Sequence, residues 1–146
     1  VTRTAEVDPA LATMVLTDVV ADLETESEAL ASGDTDGLAE STLGARLEAI
    51  EQRMAANRAE GLLEERHYGI EAAELVLLRD PASPQAVPEL GLLVSAKVDM
   101  RRWNEGDGSV LESSSDSVRE VFRVARVGDR YLIRESMEPD ATMVTT

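Results

Sequence analysis

The feature that most constrains this chain is a change of apolar period near Arg66, from 3.6 residues before it to 2 after it. The two periods belong to different backbones, so the chain must place its helices first and its sheet second. In the first part Leu11, Val15, Val19 and Leu23, flanked by Leu16, Val20 and Leu30, form a helical stripe. That helix opens at Asp8–Pro9, a carboxylate able to accept from free N–H groups followed by a proline that lacks one. Asp18, Asp22, Glu24, Glu26 and Glu28 fall on its solvated face. Ser32 to Gly37 breaks the helix, and Leu38 with Ala39 suits one short turn. Ser41 or Thr42 is expected to cap a second helix that carries Leu43, Leu47, Ile50 and Met54 and ends near Gly61.

Beyond Arg66, Tyr68, Ile70 and Ala72 alternate, the phase slips at Ala72–Ala73, and Leu75 with Leu77 resumes it, which predicts one strand with a bulge. Pro81, Pro84 and Pro88 make Asp80 to Glu89 a loop. Leu92, Val94, Ala96, Val98 and Met100 alternate with polar neighbours as a half-buried strand, and Asn104 to Ser117 reads as a polar loop. Val118 to Val127 and Arg130 to Glu135 read as a hairpin closed by Gly128–Asp129, with glycine first as in a type II′ turn. In that pairing Phe122, Val124, Tyr131 and Ile133 share one face, Arg123 lies opposite Arg134, and Arg119 and Arg130 join them on the other face. An antiparallel sheet of about four strands needs its apolar face covered, and the helices are the available cover. The expected fold is therefore α+β, a curved sheet wrapped around its helices as a cone with an apolar interior. At 146 residues this is one domain over 1–136, with a loose tail at 137–146.

Composition narrows the chemistry. With 14 basic and 29 acidic residues the formal net charge is −15, which repels phosphate and argues against nucleic acid. The absence of cysteine excludes disulfides and thiolate metal sites, and a single histidine, His67, excludes zinc sites built on several imidazoles. No cofactor or metal is expected. Gly33 to Gly37 superficially resembles a calcium loop, but counting from Ser32 puts Leu43 where the bidentate glutamate belongs, so turn chemistry explains it. No apolar run approaches the roughly 18 residues of a membrane span. Because the chain opens on Val1, it is expected to be a processed or excised piece, before which a targeting or membrane segment could stand. The charge is also uneven: residues 1–40 hold ten acids and one base, whereas residues 97–134 hold seven acids and eight bases. Arginine outnumbers lysine thirteen to one, an association with coding bias rather than with mechanism.

Three segments carry a resemblance. "IEAAELVLL" at 70–78, "VSAKVDMRRW" at 94–103 and "GSVLESSSDSVREVFRVARVGDRYLIRES" at 108–136 are similar to the strands of the Tim44-like domain, a branch of the nuclear-transport-factor-2-like (NTF2-like) superfold. That domain occurs in the mitochondrial import motor, in a mitochondrial ribosomal protein and in bacterial relatives. The resemblance covers about residues 16–136, with Tyr131 where the family usually has tryptophan and an acidic rather than basic first helix. The intermembrane-space domain of plastid division proteins shares the same helix-then-sheet order. The resemblance implies a non-catalytic domain that binds a partner protein or lies against a membrane, and it transfers no catalytic residue.

The candidate pocket is the cone, lined by Tyr68, Ile70, Leu92, Val94, Val98, Met100, Phe122, Val124, Tyr131 and Ile133. Periodic apolar residues read first as packed core; the functional alternative is an open pocket for an acyl chain or a partner's side chain. Enzymes of the superfold pair such a cavity with a carboxylate or histidine and a tyrosine, for which His67, Asp99 and Tyr68 or Tyr131 are available here. Alternation points Asp99 away from the cone, and aromatic residues are only 3% of the chain, too few for the walls that small-molecule cavities favour. His67 reads as a solvated strand-edge residue, with a proton-transfer role as its alternative. Arg119, Arg123 and Arg134 are the surface candidates, either offset by acids such as Glu120 or forming a docking surface for an acidic or phosphate-bearing partner. The reading is a binding module of a membrane-associated or envelope protein, monomer or homodimer, engaging a partner protein or a lipid or peptide segment. A small cavity enzyme and a dimerisation module are the rival readings.

Overall fold

The computed structural model describes residues 2–3, 9–79, 82–83, 85 and 87–139. Helix α1 spans Pro9–Ser32 and α2 spans Gly44–Ala59, with a single 3-10 turn at Leu38–Glu40 between them. The sheet comprises β1 (Thr2–Arg3), β2 (Leu62–Leu78), β3 (Glu89–Asn104), β4 (Val110–Val127) and β5 (Arg130–Met137). Neighbours in sequence are neighbours in the sheet, and every pair is antiparallel. The α+β order of two helices and then four long antiparallel strands is the one that the change of period dictates.

Proline opens α1 in its first turn, where a missing N–H is harmless, and Gly33 closes it by donating to the Ala29 carbonyl at 2.8 Å. The capping aspartate expected at position 8 lies outside the described residues. The expected cap of α2 is corrected: its N-cap residue is Leu43, and no side chain caps it. The Ser41 and Thr42 hydroxyls instead turn back to the Leu38 carbonyl at 3.0 and 2.8 Å. Their backbone is held by β5, since Leu43 N–H donates to Ile133 O and Ile133 N–H to Ser41 O. This short segment thereby covers the outer edge of β5, which would otherwise offer unpaired groups. Gly61, in the left-handed conformation at φ 69°, ends α2 as anticipated.

Strand β2 begins at Leu62, four residues before the change of period, because Glu64 and Glu65 extend it as paired charges. Its bulge lies between Ile70 and Ala72, a step before the expected slip. The loop assigned to Asn104–Ser117 is corrected more heavily, since β4 starts at Val110. The Asn104 carboxamide accepts from the Gly106 and Asp107 N–H groups at 2.8 and 3.1 Å, and Asp107 accepts from Ser109 at 2.8 Å, so five residues suffice for the turn. Ser113 to Ser117 then pair in register with Arg101 to Lys97. Their polarity on both faces hid a strand that is largely exposed on both sides.

The hairpin pairs Val127 with Arg130, as anticipated, and only Gly128 of its two turn residues has positive φ, at 66°. A bulge between β4 and β5 skips Arg134, so Arg123 faces Glu135 rather than Arg134. Like charges are thereby kept from facing each other across the strands. One face of the sheet packs Leu75, Leu92, Val94, Ala96, Phe122, Val124, Tyr131 and Ile133 against Val15, Val19 and Leu23 of α1. Helix α1 touches both β2 and β5, three strand spacings apart. A flat sheet would separate those strands by about 14 Å, more than the width of a helix, so the sheet curls around α1. On the convex face a smaller cluster of Val76, Leu78, Leu93 and Val121 meets at Gly91, where a Cβ would lie 3.0 to 3.2 Å from three of those side chains.

Candidate functional site

Of the ten residues expected to line the cone, Leu92, Val94, Phe122, Val124, Tyr131 and Ile133 are buried together in the main core. Tyr68 and Ile70 are half-buried at its margin, and Val98 and Met100 lie further along β3, half-buried and outside that cluster. The apolar interior is thus filled by side chains of the sheet and α1. Beside it lies a groove of about 260 Å³, walled by Val20, Leu23, Glu24, Ser27 and Glu28 of α1 and by Arg66, His67, Tyr68 and Ile70 of β2. Val20, Leu23 and Ile70 give it apolar lining, and its helical wall carries two exposed carboxylates one turn apart, Glu24 and Glu28.

The expectation of a uniformly apolar interior is corrected below that core. Asp22 and Glu26, assigned from sequence to the solvated face of α1, are buried at 0% and 2% exposure. Asp22 follows Val15 by seven residues and Glu26 follows Val19 by seven, close to two full turns, so each returns to the packed face. The Arg46 Nε and Nη2 groups, from α2, donate to Glu26 Oε1 at 3.0 and 2.7 Å, and Nη1 donates to the Ser136 hydroxyl at 3.0 Å. The guanidinium also lies 5.6 Å from the centre of the Phe122 ring. Burial pushes the Glu26 carboxyl up, and Arg46 only partly offsets it. Burial works against the Arg46 charge too, but Glu26, helped by Tyr68, outweighs it and keeps the guanidinium protonated.

Two further carboxylates complete this interior. Asp22 Oδ1 accepts from Arg130 Nη2 at 2.9 Å, and burial, with Asp18 and Glu26 nearby, pushes its pKa up to about 7. Glu64 is fully buried on β2, where Arg53 Nε donates at 2.6 Å, Asn57 Nδ2 at 3.3 Å and Arg66 closes on the second oxygen. Oxygens of Asp22, Glu26 and Glu120 remain buried without a hydrogen-bond donor. Sequence reasoning missed the Glu26–Arg46 and Asp22–Arg130 pairs because their members are 20 and 108 residues apart in the chain, beyond any local pattern.

The surface candidates separate. Glu89 accepts from Arg134 at 2.9 Å and forms an ion pair with Arg123 at 3.0 Å, and Glu135 accepts from Arg123 Nη1 at 3.0 Å. Both arginines are therefore neutralised, which supports the solvated-face reading for them. Arg119 is exposed and makes no ion pair among the described residues. Arg130 bends to α1 rather than joining that face. Of the residues able to copy a cavity enzyme, His67 and Asp99 are brought together, but on the face of the sheet opposite the core against which Tyr68 packs. His67 and Asp99 face each other on the convex side, where Asp99 accepts from the Ser115 hydroxyl at 2.6 Å, while Tyr131 lies in the core. Among the described residues there is no cluster of metal-ligating side chains and no helix long and apolar enough to cross a membrane.

No protein-family model and no curated protein matches this sequence. The fold is similar to that of the intermembrane-space region of the chloroplast protein ARC6, with a TM-score of 0.59 over 90% of this chain and 95% of that one. Sequence identity across the match is 12%, so the likeness is one of fold.

Proposed function

We propose that this domain is a non-catalytic, Tim44-like binding module of a membrane-associated or envelope protein, and that it holds a segment of a partner protein in the groove between α1 and β2. The observation that carries this reading is the contrast between a cone filled by its own side chains and an open groove at its margin. About 260 Å³ is below the usual 300–1,000 Å³ of small-molecule sites and suits one or two side chains of a longer ligand. The burial of Tyr131 in the core, on the other side of the sheet from the His67–Asp99 pair, favours binding over turnover. A net charge of −15 opposes unassisted adhesion to anionic lipid, so a neighbouring segment or the partner supplies any attachment to a membrane.

The test is selection of binders from a random peptide library on the intact chain, repeated with the groove variants Val20→Asp and Ile70→Asp after their urea unfolding curves confirm that they fold. Selected peptides should lose binding to both variants. Peptides that bind the variants unchanged, or tight binding of the chain itself to anionic vesicles at physiological salt, would refute the reading.

A further inference from the structure

We propose that the groove is a strand-addition site, in which an extended partner segment with alternating basic residues pairs with the free edge of β2 and sets its cationic side chains against Glu24 and Glu28. This deepens the binding reading and rests on it. Successive side chains of a strand point to opposite faces, yet Arg66, His67 and Tyr68 all border the one groove. A concavity touching three consecutive strand residues must reach the backbone edge.

That edge is open. On one side β2 is paired with β3 along its length, whereas on the other β1 meets only Val76 and Leu77. Among the described residues no strand pairs with residues 62–73 on that side. Every second residue there turns its N–H and C=O outward, a template for one more strand.

Charge selects the occupant. Glu24 and Glu28 are exposed, and among the described residues neither makes an ion pair. Arg66, the cation in the groove, is already committed to Glu64. Residues four apart on a helix rise about 6.0 Å. Alternate residues of a strand are about 6.6 Å apart, so consecutive same-face lysines or arginines match the two glutamates. A second copy of this chain fits poorly, because pairing two such edges would set Glu65 and Glu71 of each copy among the same acids, and like charges across strands destabilise.

The experiment uses the intact chain and three short peptides: one alternating lysine and valine, one alternating glutamate and valine, and the lysine peptide with N-methyl groups on alternate backbone amides. Affinity is read by titration, and the contact by amide hydrogen exchange. The lysine peptide should bind, slow exchange at outward amides of residues 66–70, weaken as salt rises, and lose about tenfold or more when its pairing edge is methylated. Glu24→Gln with Glu28→Gln should weaken it by roughly threefold to tenfold. Equal binding of the methylated or glutamate peptide would overturn the proposal, as would binding without protection of β2. Failure of the lysine peptide, while library peptides of other chemistry still occupy the groove, sinks strand addition and leaves the binding reading standing. If no peptide occupies the groove, both fall. A dimer by light scattering, with β2 amides protected in the absence of peptide, assigns the edge to a second copy and also overturns the proposal.

Discussion

Glu64 on β2 and Asp22 on α1 are carboxylates with no solvent exposure, buried under the same curved sheet, yet their environments drive them in opposite directions. Glu64 has donors on both oxygens: Arg53 and Asn57 on one, Arg66 on the other. Burial works to raise its pKa, but Arg66 and Arg53 outweigh burial and hold it below the usual carboxylate range. Asp22 has Arg130 on one oxygen and no donor on the other, and Arg130 is itself 43% exposed. Burial therefore prevails, and the carboxyl titrates near neutrality. Depth alone does not set the charge state here; the number of donors reaching both oxygens does. Glu26 falls between the two, with both of its donor bonds from Arg46 directed at a single oxygen.

The largest expected effect comes from removing the cation that serves Glu26. Arg46→Met should cost about 3–5 kcal/mol at pH 8, because it leaves a buried carboxylate without its partner. The cost should be smaller at pH 5 than at pH 8, because burial raises the Glu26 pKa, loss of Arg46 raises it further, and a protonated carboxyl needs no counter-charge. Urea midpoints at the two pH values measure this. An equal loss at both would assign the effect to packing against Phe122 and Ser136 rather than to charge.

Glu64→Gln should cost less, about 1–3 kcal/mol, because Arg53 and Arg66 are 35% and 22% exposed and can turn toward water. The same variant sharpens the contrast in pH dependence. A carboxylate with a depressed pKa adds stability above its ordinary value of 4.5 and loses it as pH falls through the lower folded value. Wild-type protein should therefore lose stability on that acid limb, and the Gln variant should lose less. Identical acid limbs in thermal unfolding would remove Glu64 from the well-satisfied side of the comparison.

The fold was legible because its signals are local. The change of period, the proline at the start of α1, Gly61 and the Gly128–Asp129 turn each act within a few residues, and each appears where the pattern placed it or close by. Two strand features were not legible for physical reasons. Ser113 to Ser117 show no alternation because neither face there is buried, and Arg134 leaves the ladder in a bulge defined by the pairing with β4, which its own chain neighbours do not mark. The groove was half legible: Tyr68 and Ile70 could be named from the strand, but its α1 wall depends on how the helix crosses the sheet. The interior ion pairs lay furthest out of reach. Asp22 and Glu26 occupy the apolar stripe of α1, where an acid reads as solvated until Arg130 and Arg46 arrive from β5 and α2.

The smallest effect is the most discriminating. Asp22→Asn keeps the shape of the side chain and removes a charge that the fold holds poorly. The folded pKa of about 7 lies above the unfolded value of 3.8, so the native state binds the extra proton across that interval and wild-type stability rises as pH falls from 7 toward 4. Above pH 7 the aspartate is ionised in both states and the fold carries the full penalty. Asparagine escapes that penalty, and Arg130 is exposed enough to find water, while Asp18 still ties the hairpin by accepting from the Tyr131 N–H at 3.0 Å. The variant should therefore be as stable as wild type or more so at pH 8, by up to about 1 kcal/mol, with the advantage vanishing near pH 4. A flattened slope between pH 4 and 7 in denaturant titrations is the expected signature. If Asn instead lowers stability equally at every pH, the single bond to Arg130 outweighs burial, and Asp22 belongs beside Glu64 rather than opposite it.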